Sequence, residues 1–125
     1  MSFTLKKHEI LRSKKKIQEL FDNGSSFFLY PFKVYFLPES NLKTNGVLFS
    51  VSKKYFKRAV DRNLIRRRMR EAYRLNKSIL KENQKDSSSI SMAIIYISKF
   101  KLPFNEIEFK LKQVFVRLNK TDNQN

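Results

Sequence analysis

The stretch from Phe27 to Leu37 breaks the helical period of the surrounding chain, and this limits the folds that the chain can adopt. Two sets of residues alternate along it, with Phe32, Val34 and Phe36 on one face and Lys33, Tyr35 and Leu37 on the other. Alternation with period two predicts a strand, with Pro31 near its start or on a sheet edge. A strand with one apolar face needs partner strands and a covering layer.

A helix is predicted before this strand. Ser13 can cap it, and Ile17, Leu20 and Phe21 share one of its faces. Gly24 follows the last of these positions and marks the end of the helix.

The rest of the chain supplies two more strands and two more helices. Strand patterns cover residues 47–51 and 92–97, and a helical pattern runs between them over residues 58–80. Pro103 opens the last helix, where its missing N–H group costs nothing. The apolar stripe of that helix consists of Ile107, Leu111, Val114, Phe115 and Leu118.

The resulting order is helix, strand, strand, helix, strand, helix. This order is typical of an α+β fold, an α/β sandwich in which helices pack on a small mixed sheet of three to four strands. The chain shows no internal repeat and no long linker. We therefore expect one domain over residues 1–120 and a frayed tail over residues 121–125.

The charge of the chain is strongly unbalanced. It has 27 Lys and Arg but only 11 Asp and Glu, a formal net charge of +16. Repulsion among these like charges destabilises the compact state and favours the binding of a polyanionic partner, either nucleic acid or an anionic membrane surface. Twelve Phe and five Tyr can build a core, which a disordered polybasic tail lacks. The absence of cysteine, of a signal-peptide pattern and of a long apolar run predicts a soluble, cytoplasmic protein.

Residues 57–74, KRAVDRNLIRRRMREAYR, hold eight basic residues and two acids. The predicted buried stripe of this helix consists of Val60, Ile65, Met69, Ala72 and Tyr73. Two polar rows adjoin it, Arg62, Arg66 and Arg70 in one and Asn63, Arg67, Arg70 and Arg74 in the other. Like charges four residues apart destabilise a helix, so a row selected for stability alone would include Glu. Guanidinium groups that bind phosphates bidentately explain the pattern better.

Asn63 differs in kind from its basic neighbours. Its amide can donate to a phosphate or a 2′-hydroxyl, or contact a base edge. It can equally form a local hydrogen bond near the start of the helix. The sequence leaves both interpretations open.

Tyr35 shares its predicted strand face with Lys33, so this face combines an aromatic ring with a cation. Such surfaces suit single-stranded nucleic acid, since stacking on an aromatic ring contributes about 1–3 kcal/mol per base. Alternatively, Ile17, Phe21 and Tyr35 only pack the first helix against the sheet. The pattern alone favours packing for Phe21 and leaves Tyr35 open, while Ile17 could offer only an apolar contact.

Three motifs carry a family resemblance. They are SVSKK at residues 50–54, AVDRNLIRR at residues 59–67, which has the form A-V-x-R-N-x-I-R-R, and REAYR at residues 70–74. Together they resemble the bacterial ribonuclease P protein subunit, and the resemblance extends over most of the chain. It implies an α/β sandwich with a left-handed βαβ crossover, against the usual handedness.

The resemblance also implies a function. A protein of this kind binds the catalytic RNA of ribonuclease P and the 5′ leader of precursor tRNA. It assists the Mg²⁺-dependent endonucleolytic removal of the leader, which gives the mature tRNA 5′ end. The Mg²⁺ ions would be bound mainly by the RNA subunit, and no residue of this chain is expected to be catalytic or to bind a metal.

The motif match also implies binding sites. Contacts to the RNA subunit would come from Lys53, Lys54, Arg62, Asn63, Arg66, Arg67 and Arg70. Arg58 and Arg74, at the two ends of the basic helix, extend this candidate surface. A cleft between the first helix and the sheet would hold the leader, lined by Ile17, Phe21 and Tyr35. Lys33 joins this candidate leader site because it shares the predicted strand face of Tyr35.

The chain departs from the family pattern at two places. Leu64 occupies a position that is commonly basic in the family, directly after the Arg-Asn pair. The segment from Tyr55 to Arg58 contains no glycine and is one residue longer than is common in the family. The turn geometry of that segment therefore cannot be transferred from the resemblance.

The residues offer no self-contained catalytic site, since the one histidine, His8, is terminal, the acids are scattered and only two glycines are present. Three alternatives to the ribonuclease P interpretation remain. They are a purely structural RNA-binding module such as a ribosomal protein, a DNA-binding regulator and a membrane-surface helix. We expect ribonuclease P RNA and precursor tRNA as partners, no DNA or membrane partner, and a monomeric protein.

Overall fold

A four-stranded sheet with helices on both faces forms the frame of the protein. The computed structural model describes residues 10–11, 13–39, 46–82 and 89–123. The strands are β1 (Ser25–Leu29), β2 (Phe32–Glu39), β3 (Gly46–Val51) and β4 (Ser89–Tyr96). The helices are α1 (Lys14–Asn23), α2 (Ala59–Asn76), α3 (Ser78–Glu82) and α4 (Phe104–Asn123). The expected α+β class and element order are confirmed, with a β-hairpin and the short α3 in addition.

The sheet is mixed, and its strand order is β1-β2-β4-β3. β2 pairs antiparallel with both β1 and β4, while β3 and β4 are parallel neighbours. The connection between the parallel pair runs through α2 and α3, which makes it a βαβ crossover. The left hand of this crossover stays a prediction.

The prediction of one strand over residues 27–37 is wrong. Leu29 pairs with Phe32 across a two-residue turn at Tyr30-Pro31, whose peptide bond is cis, so the stretch forms two antiparallel strands. Such a turn reverses the relation between sequence parity and sheet face. Phe28 therefore lies opposite Lys33 and on its face of the sheet, whereas continuous alternation would have placed it with Phe32.

The main core lies between one face of the sheet and the helices α2 and α4. The whole predicted stripe of α4 is buried there, as are four of the five residues predicted for α2, Ile65, Met69, Ala72 and Tyr73. The assignment of Val60 to that stripe is wrong, since its side chain is 59% exposed. Five residues of α-helix separate Val60 from Ile65, which turns it about 140° away from the buried face.

The opposite face of the sheet is covered by α1. Ser13 caps this helix as predicted, and its hydroxyl accepts a hydrogen bond of 3.4 Å from the Lys16 amide. Leu20 is fully buried and packs with Leu11 and Ala93 in a second, smaller cluster. The helix ends at Asn23, and its layer leaves part of the sheet face uncovered.

Several sequence-based expectations concern parts of the chain outside the described residues. They include the terminal position of His8 and the last two residues of the expected tail, Gln124 and Asn125. Residues 121–123 of that tail belong to α4. Within the described ranges, no helix has the length and hydropathy needed to cross a membrane.

Candidate nucleic-acid interface

The outer face of α2 carries an exposed basic surface. Asn63, Arg67 and Arg70 are exposed on the side of the helix opposite Ile65 and Met69. Arg66 is half-buried on the flank of this row. Because the buried stripe packs α2 against β3 and α4, the helix presents these guanidinium groups to solvent on a rigid support. Such an array suits the phosphate backbone of a nucleic acid, since each guanidinium group can bind two phosphate oxygens.

Arg62 is placed differently from its neighbours in the row. Its Nη1 donates hydrogen bonds to the carbonyl oxygens of Phe56 and Lys57, at 2.8 and 2.7 Å. The guanidinium group thus fastens the segment before α2 onto the first turns of the helix. Part of its donor capacity is used inside the protein, whatever else it binds.

Asn63 forms the local hydrogen bond that was one of its two interpretations. Arg66 Nη1 donates to Asn63 Oδ1 at 2.9 Å. This bond orients the amide and the guanidinium side by side on the exposed face of α2. It leaves the other interpretation open, because the Asn63 side chain is exposed and its amide nitrogen is a separate donor.

Arg74, at the far end of the basic helix, is paired with an acid. Its guanidinium group binds both carboxylate oxygens of Glu71, at 3.1 Å through Nε and 2.5 Å through Nη2. The hydrogen bonds of this pair lower the pKa of Glu71 and raise that of Arg74. The positive potential of the helix is therefore weaker here than at Arg67 and Arg70.

The turn between β3 and α2 adds two exposed cations to the same region. Lys53 and Lys54 follow β3 after one residue, Ser52, and the Lys54 amide donates a hydrogen bond of 3.1 Å to the Ser52 hydroxyl. The Lys54 ammonium lies 5.5 Å from the centre of the Tyr55 ring. Arg58, at the N-cap of α2, is exposed as well.

The glycine-free segment from Tyr55 to Arg58 owes its geometry to an aromatic anchor. Phe56 is buried in the main core, with its ring centre 6.2 Å from that of Tyr96. Its amide donates to the Ser52 carbonyl oxygen at 3.4 Å, which closes the turn. Leu64, the other departure from the family pattern, is half-buried on α2.

The four cleft residues predicted from the sequence lie on the sheet face that carries α1. Phe21 and Tyr35 make an edge-to-face contact with ring centres 4.7 Å apart, and Phe21 is 38% exposed. Ile17 and Tyr35 also pack against the small cluster around Leu20. These contacts agree with the packing interpretation, and the partial exposure of the rings leaves the stacking interpretation open.

Lys33 joins this aromatic pair to a third ring, which the sequence interpretation missed. Its ammonium lies 5.1 Å from the ring centre of Tyr35 and 5.1 Å from that of Phe28. The sequence does not predict Phe28 at this site, because its position on this face depends on the hairpin at Tyr30-Pro31. The pairing of Phe28 with Lys33 in register is what brings the ring to the cleft.

The described acids do not form a metal site. Among the residues that the structure describes, no group of three or more His, Cys, Asp or Glu side chains could hold a metal ion. Asp61 pairs with Lys101 at 2.7 Å, and a hydrogen bond from that lysine lowers the pKa of the Asp61 carboxyl group. Glu71 is held by Arg74. These carboxylates do not fit a resident Mg²⁺, which prefers several oxygen ligands arranged around it.

Solved structures share this fold. A Staphylococcus aureus RNase P protein mutant with defective mRNA degradation activity superposes with a TM-score of 0.74 at 23% sequence identity, over 90% of this chain and 89% of that one. An RNase P protein from Thermotoga maritima gives a TM-score of 0.71 at 23% identity, over 87% of this chain and 96% of that one.

Sequence comparisons agree with the fold. A ribonuclease P protein component from Porphyromonas gingivalis is 32% identical over 120 residues, which cover 94% of this chain and 88% of that protein. One from Chlorobium phaeobacteroides is 38% identical over 105 residues, 75% of this chain and 72% of that protein. The family model described as Ribonuclease P matches residues 5–119. With the fold, the motifs and these matches in agreement, the chain belongs to the ribonuclease P protein family.

Proposed function

We propose that this chain is the RNA-binding protein subunit of ribonuclease P, and that it positions precursor tRNA for removal of the 5′ leader. Membership of the family supports a role in tRNA 5′ processing as a component of this endoribonuclease. The finer proposal concerns which RNA each surface of the protein binds. It rests on one observation, the presence of two candidate RNA-binding surfaces on opposite sides of the sheet.

The first surface binds the catalytic RNA. It comprises Lys53, Lys54, Arg58, Arg62, Asn63, Arg66, Arg67, Arg70 and Arg74. Arg67 and Arg70 lie at its exposed centre, where guanidinium groups can replace counterions along a phosphate backbone. Arg62 and Arg74 contribute less direct contact, because each already donates hydrogen bonds within the protein.

The second surface holds the leader of precursor tRNA. It comprises Ile17, Phe21, Lys33 and Tyr35. The Phe21 and Tyr35 rings can stack with bases of any sequence, and Lys33 supplies a cation for the phosphates. This composition suits a single strand whose sequence varies from one precursor to the next.

The chemistry of cleavage belongs to the RNA subunit in this proposal. The Mg²⁺ ions are held mainly by that RNA, in keeping with the lack of a carboxylate cluster among the described residues. The protein contributes position and charge. It aligns the leader, and its cations reduce the repulsion between two polyanionic RNAs. We further propose that it acts as a monomer in the cytoplasm, without a DNA or membrane partner.

Cleavage of 5′-labelled precursor tRNA at low Mg²⁺ tests the proposal. Bacterial ribonuclease P RNA is assayed alone, with the protein, and with an Arg67→Ala/Arg70→Ala variant. Both arginines are exposed, so their removal leaves the core intact. A Lys112→Ala/Lys120→Ala variant is the matched control, because it removes the same charge from exposed positions of α4.

We expect cleavage at the mature 5′ end that depends on the protein, is retained by the α4 control and is lost in the arginine variant. Cleavage by the protein without RNA would contradict the placement of the catalytic groups on the RNA. A protein that binds RNA without stimulating cleavage would instead be a purely structural RNA-binding module.

A further inference from the structure

We propose that Phe28 forms a second stacking position for the precursor leader, at the far edge of the sheet from the catalytic RNA. This inference rests on the proposed function and extends the leader path beyond the cleft. Its basis is the position of the Phe28 ring, its exposure and the cation that it shares with Tyr35.

Phe28 has the most exposed ring on the sheet face that carries α1. Its side chain is 62% exposed, while the adjacent Phe27 points into the main core and is buried. The backbone at Phe28 is held in place by its strand pairing with Lys33 and by a hydrogen bond of 3.4 Å from Arg117 Nη1 to the Phe28 carbonyl oxygen. A phenyl ring has only two side-chain torsions, so it loses little conformational entropy when a base stacks on it.

Lys33 makes the aromatic surface continuous. Its ammonium lies at the same distance, 5.1 Å, from the Phe28 and Tyr35 ring centres, and Phe21 contacts Tyr35 from α1. When two successive bases stack on the two rings, a cation between the rings can bind the phosphate that links those bases. Charge and aromatic character together therefore favour single-stranded RNA over a neutral apolar partner.

The sheet order gives the path a direction. Lys53 and Lys54 follow β3 at one edge of the sheet, whereas Phe28 lies on β1 at the other edge. The two edge strands are about 14 Å apart, which is three strand spacings. A leader that leaves the catalytic RNA on the α2 and β3 side passes Tyr35 on β2 before it reaches β1. Phe28 therefore binds nucleotides farther from the cleavage site than those that contact Tyr35.

The experiment measures the affinity of the holoenzyme for precursor tRNAs whose leaders are lengthened one nucleotide at a time. The protein variants are Phe28→Ala, Phe28→Tyr and Tyr35→Ala. Phe109→Ala is the matched control, since Phe109 is 59% exposed on the outer face of α4, away from the cleft. Circular dichroism of each variant verifies that the fold is retained.

We expect Tyr35→Ala to weaken binding once the leader reaches the cleft, and Phe28→Ala to weaken it at least about fivefold, only with longer leaders. Phe28→Tyr should retain the affinity, and Phe109→Ala should have no effect at any leader length. If Tyr35→Ala weakens binding but Phe28→Ala behaves like Phe109→Ala, the inference fails and the proposed function stands. If neither Tyr35→Ala nor Phe28→Ala alters leader binding, the leader-holding function itself is overturned.

Discussion

Arg62 donates a hydrogen bond of 2.8 Å to the carbonyl oxygen of Phe56, a residue whose ring is buried in the main core. The bond connects the basic helix to the packed segment that precedes it. A residue that the family resemblance assigns to RNA binding thus has a structural role in the protein as well. The two roles can be separated, because stability and RNA affinity are measured independently.

Replacing Arg62 with alanine should lower the free energy of unfolding by about 1–2 kcal/mol. The change removes two hydrogen bonds from a charged donor and leaves the carbonyl oxygens of Phe56 and Lys57 without it. Urea denaturation measures the effect. Arg67→Ala is the control and should stay within about 0.5 kcal/mol of the wild type, since Arg67 is exposed. Equal stability of the two variants would contradict the structural role of Arg62.

Removing Arg67 should instead alter the salt dependence of binding to ribonuclease P RNA. If its guanidinium group neutralises one phosphate, the slope of the logarithm of affinity against the logarithm of salt concentration falls in magnitude by about 1. Filter binding over a range of salt concentrations gives this slope. The control is Lys112→Ala on α4, whose slope should match the wild type. A change of intercept with the slope unaltered would show that Arg67 makes no phosphate contact.

Gly24→Ala should destabilise the protein by about 1–3 kcal/mol, because an added Cβ would meet backbone rather than movable side chains. It would press on the Leu20 carbonyl oxygen and lie 2.9 Å from that of Phe36. Gly46→Ala is the comparison, since its Cβ would first meet the Leu11 side chain at 3.3 Å. The latter change should cost less than about 1 kcal/mol. Thermal or urea denaturation measures the free energy of unfolding of both variants. An equal loss in Gly24→Ala and Gly46→Ala would contradict this account.

Tyr96 should make stability depend on alkaline pH. Burial raises the pKa of its hydroxyl, which donates to the Phe100 carbonyl oxygen and accepts from the Leu102 amide at 3.1 Å. Because the folded pKa lies above the unfolded value of about 10, the stabilisation is fully present below pH 10 and is lost as the pH rises through the folded pKa. At neutral pH, Tyr96→Phe should lower the free energy of unfolding by about 1–3 kcal/mol.

The difference in stability between wild type and Tyr96→Phe is the quantity to follow as the pH is raised. It should be constant below pH 10 and shrink above it, as the ionised hydroxyl can no longer donate to Phe100. Tyr55→Phe is the control, since it removes the hydroxyl of an exposed tyrosine and leaves the hydrogen bonds of Tyr96 intact. A difference that grew with pH would mean that the sign is wrong.

The buried stripes of α2 and α4 could be predicted because helical periodicity alone determines which side chains share a face. Ile65 and Met69 are four residues apart, and both are buried. The assignment of Val60 to the stripe is wrong because it rests on the apolar side chain alone. The angular position of Val60 about the helix axis places it away from the buried face. The stripe of α4 contained no such out-of-phase residue, and its prediction is confirmed.

Phe28 and Arg62 could not be placed from the sequence for different reasons. The face of Phe28 depends on a turn at Tyr30-Pro31, which lacks the Asn-Gly type of signal that marks most two-residue hairpins. The hydrogen bonds of Arg62 to Phe56 join a side chain to a backbone, and neither helical nor strand periodicity encodes such a bond.

The strand order β1-β2-β4-β3 has a consequence for the making of the protein. β4 is the last strand to be synthesised, yet it lies inside the sheet and pairs with β2 on one side and β3 on the other. Until residues 89–96 leave the ribosome, the hairpin and β3 have no partner between them. Long-range pairing of this kind is slow to form, so the sheet is completed only after the segment from β3 through α2 and α3 has been made. The arginine-rich helix α2 is made before β4. Its positively charged face is therefore close to ribosomal RNA before the sheet that supports it is complete.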